Sequence, residues 1–259
     1  MAKYSVHEIW QEHYEYFLIP LGVICFWGLW EALAACYEPY LLPSPGEVWT
    51  RFQEFGGAQL IKHFQVTTKE ALFGFGIAVI VAFPLGYLLA HYPILEKCLT
   101  PYIVGFQAIP ILALAPLLVV WFGFGNFSKV LVAALVAFFP ILTNTVLGFH
   151  TTSLALKELL SIMGAKRRQI FWKLEIPGAL PVLLGGLKLG ITLSVIGAVV
   201  GEFAGASVGL GYLVNAARGS FDTPLIFVAL FSLSVLGIAF YLSVTLLEYL
   251  VIPWKRDQS

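Results

Sequence analysis

The chain has 259 residues, of which 59% are hydrophobic, 15% aromatic and only 12% charged. A soluble domain carries roughly a quarter charged residues, so disorder, collagen, a coiled coil and a nucleic-acid module are excluded and a membrane protein is indicated. Fifteen Lys and Arg balance fifteen Asp and Glu, which leaves no polybasic character to point toward nucleic acid.

A helix needs about 20 mostly apolar residues to cross the hydrocarbon. The first such run is 16–37, which contains Glu31. Glu8, Glu12 and Glu15 precede it and no small-residue cleavage site follows, unlike a cleaved signal peptide. The next stretch, 38–65, enters through Pro43 and Pro45 and then sets Val48, Trp49, Phe52 and Phe55 on one helical face, the pattern of a short interfacial helix acting as an anchor. Residues 1–65 therefore form an N-terminal segment. Residues 66–252 form a core with five further spans at 71–91, 101–122, 129–149, 179–201 and 224–248, and 253–259 form a tail. The expected fold class is an all-α membrane protein of six transmembrane helices. Lipid offers backbone groups no partner, and the alternation of a lipid-facing barrel strand is absent. Pro84, Pro101, Pro110, Pro116 and Pro140 lie in or beside three consecutive spans, where they permit kinks. Cys25, Cys36 and Cys98 show no metal-ligand spacing, and Cys25 and Cys36 would lie about 16 Å apart on one helix, too far to bridge.

With the N-terminus inside, nine basic residues fall on the inner side (Lys3, Lys97, Lys157, Lys166, Arg167, Arg168, Lys173, Lys255, Arg256) and five on the outer (Arg51, Lys62, Lys69, Lys129, Arg218). The excess favours both termini in the cytoplasm.

Two segments interrupt the apolar pattern with chemistry. Residues 150–178 form the one long charged segment between spans. They read as a helix, a turn at Gly164, and a second helix stopped at Pro177. Leu156, Leu159, Leu160 and Met163 share a face of the first helix; Ile170, Phe171 and Leu174 share a face of the second. Such a pair either adheres to anionic headgroups through Lys166, Arg167 and Arg168 or docks a soluble partner. Residues 197–218 carry Gly197, Gly201, Gly205, Gly209, Gly211 and Glu202, an easily broken helix end. An intramembrane carboxylate marks a functional site, while a solvated Glu202 at headgroup level is the alternative. Gln107, Asn144, Glu202 and Asn215 are polar groups at or near span depth, candidates for a translocation pathway or gate. Each has an interhelical hydrogen bond as its plainer use, worth about 1 kcal/mol.

Some chemistry is absent. Gly205-Ala206-Ser207-Val208-Gly209 matches the nucleophile-elbow pattern, but every histidine (His7, His13, His63, His91, His150) precedes Ser207, so no triad order is possible. No His-Glu-x-x-His zinc spacing and no phosphate-binding G-x-x-x-x-G-K-[ST] loop occurs. The chain is not expected to be an enzyme or to hold a cofactor or metal. ATP-driven transport would need the ATPase from another subunit, which strengthens the docking reading of 154–177.

Residues 158–177 resemble the coupling motif of binding-protein-dependent ABC importer permeases, E-A-A, three residues, G, nine residues, I-x-L-P. Here it stands as Glu158-Leu159-Leu160, Gly164, Leu174 and Ile176-Pro177, with leucines replacing both alanines. From about residue 40 onward, Leu42-Pro43-Ser44-Pro45, Ala108-Ile109-Pro110, Ala115-Pro116-Leu117, Trp121-Phe122-Gly123, Phe139-Pro140-Ile141, Asn144-Thr145 and Gly209-Leu210-Gly211-Tyr212 are similar to the nitrate/sulfonate/taurine group. Asp222-Thr223-Pro224-Leu225 and Ser234-Val235-Leu236-Gly237 look more like members carrying thiamine pyrimidine precursors or riboflavin.

The resemblance implies a type I permease of the inner membrane with a coupling helix-turn-helix between spans four and five. Its partners would be a second copy of the chain, two cytoplasmic ATPases using ATP and Mg, and an extracytoplasmic solute-binding protein. Glu158, Leu159, Leu160, Gly164, Lys166, Arg167, Leu174, Ile176 and Pro177 would carry the coupling. An aromatic heterocycle is the favoured solute. The rival is a self-contained ion-coupled transporter or channel using Glu31, Lys188 and Glu202, although it would ordinarily show paired broken helices in two related halves. A structural anchor is the third reading, and it leaves 154–177 without a use.

Overall fold

A computed structural model of the protein describes residues 6–253; Lys3, Lys255, Arg256 and the rest of the tail beyond Pro253 lie outside the described residues. The described elements are helical throughout: α1 (Val6–Ala34), α2 (Pro45–Phe55), α3 (Gly57–His91), α4 (Pro93–Gln107), α5 (Ile111–Phe122), α6 (Asn126–His150), α7 (Leu154–Ile162), α8 (Arg167–Ile170), a π turn (Phe171–Glu175), α9 (Ile176–Gly205), α10 (Leu210–Gly219) and α11 (Thr223–Val251). Four helical stretches, Gly57–His91, Asn126–His150, Arg167–Gly205 and Thr223–Val251, are long and apolar enough to cross a membrane; α4 with α5 makes a fifth if that bent pair is one span. The apolar part of α1, Pro20–Ala34, is shorter.

Two expectations need correction. The run 101–122 is not one helix: α4 and α5 meet at 91°. Proline disfavours helical angles in the residue before it and has no N–H to donate, so Ile109-Pro110 stops α4, and Pro110 caps α5 with φ −62° and ψ 117°. Nor does Pro177 end a helix. Arg167–Gly205 runs on as one continuous stretch, because the chain widens into the π turn just before Pro177. There Ile176 N–H bonds back five residues to Phe171 O, and the proline falls in the first turn of α9, where a missing donor costs least.

The chain divides into two compact units, residues up to Gly57 with Ala216–Val228, and Ala58–Asn215 with residues from Ala229. In the smaller unit α2 begins with a capping box: Glu47 N–H donates to Ser44 Oγ at 3.3 Å and Ser44 N–H to Glu47 Oε2 at 2.7 Å. Trp30 Nε1 donates to Pro43 O at 3.0 Å and its ring stacks on Phe227. Arg51 pairs with Asp222 at 2.7 Å, and the hydrogen bond it donates to Asp222 raises the Arg51 guanidinium above its ordinary pKa. Asp222 also receives Leu225 N–H at 3.2 Å at the start of α11, and Thr223 Oγ1 donates to Tyr40 O at 2.6 Å. The Leu-Pro-Ser-Pro and Asp-Thr-Pro-Leu segments are thus structural staples.

In the larger unit α6 and α9 pack backbone to backbone. A Cβ on Gly197 would meet Ala133 Cα at 2.6 Å, one on Gly201 would meet Lys129 Cα at 2.9 Å, and Gly186 and Gly190 press on Asn144 and Ile141. Gly74 and Gly86 of α3 approach Ala133 and Thr145 as closely. Lipid removes most hydrophobic drive between helices, so close contact of small residues is what holds them. Leu184, Ile191 and Val195 complete one cluster with Leu236, Phe240 and Val244. Gly197 and Gly201 are therefore packing positions inside α9, and the helix breaks only after Gly205, with Ala206 extended (φ −116°, ψ 159°).

Candidate functional site

The bend between α4 and α5 opens a cavity of 830 Å³ lined by Phe106, Gln107 and Trp121 on one side and Phe139, Thr143 and Asn144 of α6 on the other. Two of the four polar groups singled out by sequence, Gln107 and Asn144, line this cavity; Glu202 and Asn215 do not. The volume suits a small organic molecule. Three aromatic faces can stack on a planar ring, and two amides with a hydroxyl can pair with its polar edge. Asn144 Nδ2 donates to Pro140 O one turn earlier in α6 at 2.8 Å.

Glu202 is 2% exposed, so the solvated alternative does not hold. Its carboxylate accepts from Thr67 Oγ1 at 2.6 Å and from the backbone N–H groups of Gly211 and Tyr212 at the N-terminus of α10. Thr67 in turn accepts Leu210 N–H at 2.8 Å, and His63 Nδ1 lies 3.1 Å from Gly209 N. Helix N-termini carry unpaired donors, and the Glu202 carboxyl supplies acceptors for two of them. Gly209 has φ +136°, and a Cβ there would overlap the Glu202 carboxylate; only glycine fits. Asn215 lies exposed on α10.

The segment 154–177 begins with Ser153 Oγ receiving Leu156 N–H at 3.4 Å. α7 closes in a Schellman turn: Gly164 N–H donates to Ser161 O at 3.0 Å, Ala165 N–H to Leu160 O at 2.9 Å, and Gly164 has φ +81°. Lys166 N–H then donates to Gln169 Oε1 at 2.8 Å, starting α8. Glu158, Leu159, Lys166 and Arg167 are exposed, as are Ile162 and Met163, while Leu160, Leu174, Ile176 and Pro177 are half-buried. Ile176 packs on Phe149, Ala179 and Leu183, so the end of the motif faces its own bundle.

Sequence reasoning missed three ionic pairings. Glu175, in the middle of the apolar motif, is buried and accepts from Lys157 Nζ at 2.9 Å and His91 Nε2 at 3.1 Å. Lys129, counted among outer surface charges, is buried against Glu70 at 3.4 Å. Lys188, named above as a possible ion-coupling group, pairs with Glu248 of α11. Charges inside otherwise apolar runs were the available signal, since such groups are buried only when paired.

Residues 82–257 match the family described as binding-protein-dependent transport system inner membrane component. The chain is 47% identical over 236 residues to the riboflavin transport system permease protein RibX of Chloroflexus aurantiacus, covering 91% of this chain and 88% of that protein. It is 38% identical to the formylaminopyrimidine transport permease protein ThiX of Halalkalibacterium halodurans, over 89% of this chain and 92% of that one. Its fold is like that of a chain in the inward-facing MetNI methionine ABC transporter, with TM-score 0.62 and 20% identity over 73% of this chain and 94% of that one.

Proposed function

This chain belongs to the family of binding-protein-dependent transport system inner membrane components and is a permease subunit of an ABC importer, with ATP hydrolysis left to a separate subunit; on that footing we propose that it carries an aromatic heterocycle of the riboflavin or pyrimidine-precursor kind. The 47% identity to a riboflavin permease over 91% of the chain carries this reading. The cavity at the α4–α5 bend supports it, because stacking faces and neutral amides suit a flat, weakly charged ring better than a sulfonate.

In the same reading the protein has six spans with both termini in the cytoplasm and works as a pair of identical chains. It receives solute from an extracytoplasmic binding protein and meets its two ATPases through 154–177. The exposed Leu159 and Ile162 of α7 and Met163 just after it, flanked by Glu158, Lys166 and Arg167, form the surface for that contact. Gln107 and Asn144 serve the passage and Glu202 holds the outer end of the pathway. An ion-coupled carrier fits less well, because Lys188 and Glu202 sit in separate, satisfied pairings.

The test is purification from native membranes with the neighbouring subunits retained, followed by uptake in proteoliposomes. Riboflavin or formylaminopyrimidine should enter on ATP addition while taurine should not. Gly164→Pro, which removes the Ser161 bond and forbids a positive φ, should release the ATPase. ATP-independent uptake by the chain alone would defeat the docking assignment, and preferential taurine uptake the solute assignment.

A further inference from the structure

α7 is loosely attached. Among its nine residues all are exposed except Lys157 and Leu160, and the Schellman turn at Gly164 joins it to α8 with no side chain filling the corner. A helix so exposed, turning on a glycine, would transmit little push to the bundle unless something ties it down. The tie is polar. Lys157 Nζ lies 2.9 Å from Glu175 Oε1, and the same oxygen receives His91 Nε2 at 3.1 Å from the last turn of α3. His91 Nδ1 faces Tyr87 O at 2.9 Å. Both ring nitrogens thus have an oxygen within hydrogen-bond distance. Its ring also packs on Tyr87, which meets Phe149 and Phe171 edge-on.

Glu175 is the last residue of the π turn, and single π turns inside α-helices recur at functional positions. The turn adds a residue to the helix and so rotates Glu175 inward from an otherwise exposed, charged stretch. The carboxylate is buried at 7% side-chain exposure, where ionic contacts are poorly screened and weakening one partner leaves the other stranded.

We propose that Glu175 is a positioning residue: by holding Lys157 of α7 and His91 of α3 on one carboxylate oxygen, it makes the coupling helix and the end of α3 move as one body. The proposal rests on 154–177 being the ATPase contact only for the direction of force; the latch itself is a property of this chain. A push on α7 is then passed to α3 and, through the continuous Arg167–Gly205 helix, to α9. Without the latch the push is absorbed by the turn at Gly164.

The experiment places spin labels at Tyr92 and Ser161, both exposed, after Cys25, Cys36 and Cys98 are replaced by serine, and reads their separation in the purified permease and in the permease–ATPase complex with and without ATP. The native latch should give one narrow distance that ATP leaves in place. Glu175→Gln and Lys157→Met should each broaden it and shift it by about 2 Å or more, the scale of helix shifts in switching proteins, and the double variant should do no more than either alone. ATP hydrolysis by the complex should persist in both variants while solute moved per ATP falls by about tenfold, within the range of coupling between distant sites. An unchanged narrow distance in Glu175→Gln, or additive effects in the double variant, overturns the latch. Should Glu175→Gln fail to fold, Lys157→Met alone decides, since Lys157 is only half-buried. Failure of the native permease to retain an ATPase would count against the docking reading and leave the distances in the permease alone to judge the latch.

Discussion

The break between α9 and α10 and the break between α4 and α5 each span only a few residues, yet they are built in opposite ways. Between α9 and α10 the freed backbone donors are consumed by named side chains: Leu210 N–H by Thr67, Gly211 and Tyr212 N–H by Glu202, and Gly209 N–H lies within reach of His63. Between α4 and α5 the stop comes from a proline, which lacks a donor, and the far side of the bend is a cavity instead of a packed contact. Satisfied breaks are rigid and unsatisfied backbone in a membrane is not tolerated; a proline break meets that demand without locking the geometry. The first break is a fixed corner, and the second is where the molecule has room.

The largest effect expected from this contrast is at Gly209. Gly209→Ala sets a Cβ into the Glu202 carboxylate at a backbone angle alanine avoids, and should cost about 3 kcal/mol or more, a drop of roughly 6 °C or more in the unfolding midpoint in detergent. Thr67→Val keeps the shape but strands Leu210 N–H and one Glu202 oxygen, and should cost about 1–3 kcal/mol. Pro110→Ala breaks no hydrogen bond and keeps an angle alanine also adopts, but adds one backbone N–H at an exposed position of the bend; it should cost no more than about 1 kcal/mol while changing the rate of uptake. Equal losses in Pro110→Ala and Gly209→Ala would break the comparison.

The helical class and the family were legible because both rest on local signals: apolar run length, and spacing from Glu158 to Pro177. Gly164 was readable as a turn because a positive φ is a glycine property. Pro177 was misread as a stop because a proline in the first turn after a π turn has the same sequence appearance as one that ends a helix. Glu202 stood out as an intramembrane carboxylate, but its partner Thr67 lies 135 positions away, and no spacing rule reaches that far. Glu175 was hidden for the same reason: its two partners come from other helices, one of them 84 positions distant. Lys129 looked like a loop charge because it lies in the first turn of a helix, and the packing of Gly201 against it and the Glu70 contact that bury it both come from other helices.

The backbone contact of Gly197 and Gly201 with α6 has a consequence for motion. Helices separated by layers of side chains can yield by changing rotamers, a few tenths of an ångström at a time. α6 and α9 have no such layer along that stretch, so there is nothing between them to compress or rearrange. They make a single stiff rod of double width, and whatever tilt the importer undergoes must occur around this rod and not within it.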